Sequence, residues 1–303
     1  MEVLESLTRN CAEMKSIKKK IYLSKKKLVE FSTSNYSSYL KNENLLLKYW
    51  DFENNWGDKV NPYLVEKITG KKVLSSNSIF NFLNKPEVLG IGSIIVGDLS
   101  NYVIWGSGII SEKTKLITKP KEILALRGHN TLGKIREVGA DCDVFGDPVL
   151  LFPDIFSAEK SIKKYKYGII PHFKDKQSIG VQKIQALHDS EIKIIDIQSG
   201  IEEFVEDVLS CENILSSSLH GLILAEAYGI PTCRLVFSEK LLGGDFKFYD
   251  YYSGVGIKTM ETVFIHDDIS DLQNTFSKCS LKDLNFNKKA LKQSLIDYVN
   301  LTK

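Results

Sequence analysis

Short apolar runs that end near glycine, each followed by a stretch of helical periodicity, recur along most of this 303-residue chain. Strands that repeatedly hand over to helices through glycine turns build parallel βαβ units, with helices covering the sheet. The predicted class is therefore α/β. In the first half KYWDFENNWGD, EVLGIGSII, NYVIWGSGII and KEILALRG read as strands with their exit loops. KVNPYLVEKITG and NTLGKIREVG read as helices, and CDVFGDPVLLFP closes that half. The second half repeats the style, with strands in KYGIIPHF, IKIIDIQ, ENILSSSLHG and TCRLVF and helices in GIEEFVEDVLSC and LILAEAYGIP. Residues 153–166, with Pro153 and a lysine cluster, read as a linker between α/β units at 45–152 and 167–280, and 281–303 as a closing helix.

Ahead of the first unit, residues 1–44 read as a basic helical arm. Val3, Leu4, Leu7, Cys11, Met14, Ile17 and Ile21 recur at helical steps, and Ser32–Ser38 is a polar break. Residues 1–50 hold nine Lys and one Arg against five Glu, although the whole chain is only +2. Such an arm is a candidate for peripheral contact with an anionic membrane face, or for packing on the enzyme or a second subunit as a homo-oligomer. The near-neutral total gives no reason to expect a nucleic-acid partner. Five cysteines without a CxxC pair argue against a disulfide framework or zinc site and fit a cytoplasmic location. No apolar run reaches the ~18–20 residues of a membrane span.

The loops after strands are where an open α/β sheet places ligands. Ser216, Ser217 and Ser218 end a strand, and Leu219, His220 and Gly221 open a helix, whose free N–H groups suit phosphate or carboxylate. His220 can donate to an anion or carry a proton; the plainer reading is a serine cap beside a packed histidine. Arg127 ends a strand before Gly128, where a guanidinium can grip an anion bidentately or form an interdomain salt bridge. Lys240 and its rival Lys247 flank Gly243 and Gly244 and each suits a phosphate or simple solvation. Asn55, Trp56 and Asp58 sit together in one loop. A flat aromatic beside amide and carboxylate groups suits a sugar, and Asp58 can act as a base or as a helix cap. His172 and Asp175 follow another strand. There is no P-loop, no HExxH and no GxSxG, and the one DxD, Asp141–Asp143, follows a helix and precedes a strand away from the expected cleft edge, so no metal or nucleotide cofactor is expected.

ILSSSLHGLILAEAYGIP (Ile214–Pro231) resembles the signature of the polysaccharide pyruvyl transferase family. NNWGD, IGSII, WGSG, LRGHNT, GDPVLLFP and YGIIPHFKD resemble other stretches of that family in the same order, over roughly Asp51 to Tyr252. The resemblance implies a GT-B-like fold, two Rossmann-type domains facing a central cleft, and phosphoenolpyruvate as co-substrate with no cofactor. It implies an acceptor that is a sugar of a bacterial surface polysaccharide or its lipid-linked oligosaccharide precursor, converted to a pyruvate ketal. On this view His220 and Asp58 are catalytic. Arg127, Ser216, Ser217, Ser218, Leu219, His220 and Lys240 hold the donor, and Asn55, Trp56, His172 and Asp175 meet the acceptor. The chain departs from the family where Ser218 stands in place of an arginine and His129 in place of a proline, and in its longer arm. The alternatives are a glycosyltransferase using a nucleotide sugar and a non-catalytic anion- or sugar-binding protein.

Overall fold

In the computed structural model the described residues are 33–41, 43–158, 161–238, 243–265 and 268–302. Residues 1–32 of the arm, and Lys240, lie outside them. The segment read as a polar break forms the helix α1 (Thr33–Leu40), whose Tyr39 is buried and hydrogen-bonds Asn81 at 2.7 Å. Serines cost little in a helix once an apolar side chain anchors it to the core, so tertiary packing overrides local composition here.

The first sheet contains β1 (Asn44–Lys48), β2 (Lys72–Ser75), β3 (Glu87–Leu89), β4 (Tyr102–Trp105) and β5 (Glu122–Ala125), in the order β2-β1-β3-β4-β5. All four pairings are parallel. Val103, Ile104 and Trp105 are consecutive and all buried, as expected for a strand covered on both faces. The strand read into KYWDF ends earlier, at Lys48, so Tyr49–Asn55 is the exit loop. Helix α2 (Trp56–Thr69) follows, and Gly70 closes it in the left-handed conformation at φ 67°. Helix α3 (His129–Glu137) follows β5 directly.

A 3-10 helix at Pro148–Asp154 then buries Val149, Leu150, Leu151 and Phe152, just ahead of the expected linker. The second sheet contains β6 (Tyr165–Ile170), β7 (Ile192–Ile194), β8 (Cys211–Ser216), β9 (Thr232–Val236) and β10 (Thr262–Phe264), in the order β10-β9-β8-β6-β7, again all parallel. Its helices are α4 (Ile179–Ala186), α5 (Ile201–Leu209), α6 (Leu219–Ala227), α7 (Phe246–Gly254) and α8 (Leu272–Ser277). The closing helix α9 spans Lys288–Leu301, shorter than the 281–303 expected, and returns to the first half, where the Leu291 carbonyl accepts the Trp105 indole N–H at 2.8 Å. One cluster of buried side chains runs through both halves, from Leu47 and Trp105 to Phe204 and Ile223.

Candidate active site

A cleft of about 320 Å³ opens where the two sheets meet. The starts of α2, α6 and α7 reach it together. Asn55, Asp58, His172, Ser218, Leu219, His220 and Lys247 line it, with Trp50 and Lys174.

The α6 wall is built by the serines. The Ser216 hydroxyl lies 3.0 Å from both the Ile170 and Ser218 carbonyls and accepts the Ser218 N–H at 2.9 Å. The Ser217 hydroxyl donates to Asp175 at 2.8 Å and accepts the His172 N–H at 2.8 Å. Ser216 and Ser217 thus shape the turn from inside. Ser218 borders the cleft as the N-cap of α6, and its hydroxyl makes no capping bond. The first-turn N–H groups of α6 lack intrahelical partners, as in any helix, and the positive end of its dipole faces this space.

His220 stands in that turn. Its Nε2 is fully buried without a hydrogen bond and lies 3.8 Å from Asp147 Oδ2, which is equally unpartnered. Burial, then Lys247, Arg127 and His172, lowers the imidazole to about 3, while burial pushes the Asp147 carboxyl up to about 7. His220 is braced against Gly57, where a Cβ would come within 1.8 Å of Nδ1. His172 accepts the Lys174 N–H at Nδ1 (3.3 Å), and burial with Lys247 lowers it to about 3.

Asp58 lies on the opposite wall, in the first turn of α2, and accepts a hydrogen bond from the Asn55 amide at 2.8 Å. Burial pushes it up to about 7 against the opposing pull of Asn55 and Lys247. Lys247, in the first turn of α7, is lowered to about 8 by burial and by the neighbouring Arg127 and Arg234, and makes no ion pair among the described residues. This cation was the rival of Lys240, and it faces the cleft.

Three expectations need correction. Arg127 does not face solvent: it is fully buried behind the cleft wall, donating to Asp250 at 2.9 Å, to Ser93 at 2.6 Å and to the Ile109 carbonyl at 2.8 Å. Trp56 does not offer a sugar platform: its ring is fully buried against Phe152 and Phe204, and its indole N–H donates to Ile201 at 3.0 Å. Asp175 accepts from Ser217 and Ser238 beneath the cleft floor and is 1% exposed. The aromatics that do reach the cleft are Phe173 and Trp50, the latter 37% exposed and edge-on to Phe52 at 4.7 Å. His129 packs at a tilt on Phe145, with ring centroids 4.0 Å apart, away from it. Arg234 and Trp50 have no signal in the sequence, and Asp147 has only its place in GDPVLLFP, which does not disclose its partner. Asp147 lies 73 positions before His220, Arg234 reads as an ordinary strand residue, and two tryptophans six apart give no sign of which one is core.

The family model for polysaccharide pyruvyl transferase matches residues 18–238. An uncharacterized protein of Acanthamoeba polyphaga mimivirus is 33% identical over 220 residues, covering 71% of this chain and 75% of that protein. The succinoglycan biosynthesis protein ExoV of Rhizobium meliloti (strain 1021) is 24% identical over 219 residues, covering 69% of this chain and 64% of that protein. With the match extending over the first sheet, the second as far as β9, and the His220 loop, the chain belongs to the polysaccharide pyruvyl transferase family.

Proposed function

We propose that the protein transfers the pyruvyl group of phosphoenolpyruvate onto a sugar of a surface polysaccharide, or of its lipid-linked precursor, and closes it into a ketal. The observation that carries this reading is Lys247. It is a depressed cation beside two guanidinium groups, without an ion pair among the described residues, across from the first turn of α6. Like charges gathered in a desolvated place repel one another, and a multiply charged anion relieves that repulsion. Phosphoenolpyruvate, with carboxylate and phosphate on adjacent groups, matches it. Lys247 and the α6 N–H groups would hold the donor, with Arg127 contributing its field from behind the wall, and Lys240 remains a further donor candidate.

In the proposed reaction a sugar hydroxyl adds to C2 of the donor while C3 takes a proton. Phosphate then leaves C2, and a second hydroxyl of the same sugar attacks it and loses its proton. Asp58, titrating near neutrality, accepts the first hydroxyl proton. His220 serves C3. Trp50 offers the sugar a flat apolar face, with Asn55 and His172 beside it. The architecture that fits this chemistry is GT-B-like, with Rossmann-type units at 45–152 and 167–280 on either side of the cleft and the enzyme acting at the cytoplasmic membrane face. No helix among the described residues is long and apolar enough to cross a membrane.

Calorimetry with phosphoenolpyruvate and, separately, a nucleotide sugar tests the donor. Saturable binding of phosphoenolpyruvate, together with phosphate release when acceptor polysaccharide is added, is expected. Binding of the nucleotide sugar alone would overturn the reading in favour of glycosyl transfer.

A further inference from the structure

At the wall of the cleft two buried polar atoms lie near each other without a hydrogen bond, Nε2 of His220 and Oδ2 of Asp147, 3.8 Å apart. Orphaned buried polar atoms are uncommon and call for an explanation. Asp147 is held from behind. It is the N-cap of the 3-10 helix, and its other oxygen accepts the Val149 N–H at 3.0 Å. It is fully buried and does not line the cleft, whereas His220 does. The ring therefore turns Nε2 inward to Asp147 and lays the Nδ1 edge along Gly57, beside the turn that carries Asn55 and Asp58.

A neutral imidazole has one N–H. If His220 acted alone, burial would leave it without a second proton to give at neutral pH. We propose that Asp147 is a positioning residue that stores this proton: when the pair holds two protons Nδ1 meets the cleft as an N–H donor, and when it holds one Nδ1 is a lone pair. Both arrangements of the two-proton state, carboxylic acid with imidazole or carboxylate with imidazolium, place a hydrogen on Nδ1. The groups that set the balance are Lys247 of α7, Arg127 after β5 and His172 after β6 around the imidazole, and Arg127, Asp250 and Tyr251 around the carboxyl.

The chemistry, though not the geometry, rests on the pyruvyl-transfer reading. The C2=C3 electron pair takes the Nδ1 proton at C3, and the N–H electrons return to Nδ1. Nε2 retains or receives the proton shared with Asp147 Oδ2, which ends as a carboxylate. The proton released by the second sugar hydroxyl restores the pair, and the proton taken by Asp58 leaves with phosphate.

The test reads the ring nitrogens of His220 by ¹⁵N–¹H correlation without substrate, assigned with His220→Gln. In the wild type Nδ1 should lose its proton between pH 5 and 9 while Nε2 carries the remaining proton on the side of Asp147. In Asp147→Asn that transition should vanish, and Asp147→Glu should restore it. Turnover in Asp147→Asn should fall about 10²-fold or more in kcat, with the phosphoenolpyruvate KM little changed and partial recovery in Asp147→Glu. A wild-type Nδ1 that does not change between pH 5 and 9, or a transition that survives in Asp147→Asn, overturns the assignment. If Asp147→Asn does not fold, the wild-type and Asp147→Glu titrations decide it. A protein that releases no phosphate from phosphoenolpyruvate yet shows the transition loses the proposed reaction and keeps the proton pair.

Discussion

Burial holds the Asp58 carboxyl near 7, where an unperturbed aspartate sits at 3.8. The folded state therefore prefers the acid form. Its preference is fully present below the unfolded pKa and is lost as pH rises through the folded one. About three pKa units correspond to on the order of 4 kcal/mol of linkage. Asp58→Asn should unfold like the wild type near pH 4 and at a higher temperature near pH 8, while losing turnover. Calorimetric scans across that range check the sign, and a Tm gap that does not widen with pH would contradict it. Lys247 has the opposite profile. Its folded pKa is lowered to about 8, so charging it costs stability, and a donor that needs its charge should bind more weakly above that pH. Turnover should rise through about 7 as Asp58 ionises and fall toward about 8 as Lys247 loses its proton. Lys247→Met should leave the melting temperature unchanged or raised, and should weaken phosphoenolpyruvate binding about ten- to hundredfold by calorimetry, the worth of a charge-assisted bond.

At the scale of elements, the start of α2 matters more than its length. Gly57 has no side chain where one would strike the His220 ring, at 1.8 Å from Nδ1 and 2.3 Å from Cγ. Alanine is the better helix former by about 1 kcal/mol, so a loss in Gly57→Ala cannot come from helix propensity. We expect the ring to be displaced, the protein to be destabilised by about 1–3 kcal/mol from overpacking, and kcat to fall about 10²-fold with the circular dichroism spectrum retained. Wild-type kcat would mean that the ring has room to move without consequence. Such contacts explain what the sequence can and cannot disclose. Strand-end glycines, the serine turn and the helix stop at Gly70 are local signals, and of the places they mark, the loop at Gly92 and the serine turn before His220 border the cleft. Helix α1 is not legible because its anchor, Tyr39 on Asn81, joins residues 42 apart. The burial of Trp56 is not legible either, because the neighbours that bury it, Phe152 and Phe204, come from elsewhere in the chain.

Across the whole molecule, one of the places that tie the two halves together lies behind the cleft. Asp250 of α7 accepts from Arg127 at 2.9 Å and from the Thr131 N–H and hydroxyl at 2.7 and 2.8 Å, with both charged side chains fully buried. Backbone meets backbone on either side. A Cβ on Gly128 would lie 1.7 Å from the Asp250 carbonyl, and one on Gly254 would lie 2.1 Å from that of Arg127. The family resemblance assigns Arg127 to the donor, and position in sequence alone cannot separate that role from this one, because its partner lies 123 residues away. The two roles differ in what removal does. A buried charge left without its partner costs about 3–5 kcal/mol, so Arg127→Ala should lower the urea midpoint of the entire protein, Asp250 being stranded in the core. If Arg127 served only the donor, the midpoint would stay in place and only phosphoenolpyruvate affinity would fall. Because one core runs through both sheets, the lost stability should appear in a single transition that includes both halves. Two separated transitions in Arg127→Ala would instead mean that this ion pair, more than the shared core, couples them. Arg127→Ala,Asp250→Ala then completes the cycle. It should recover part of the loss, since a pair removed together leaves no stranded charge.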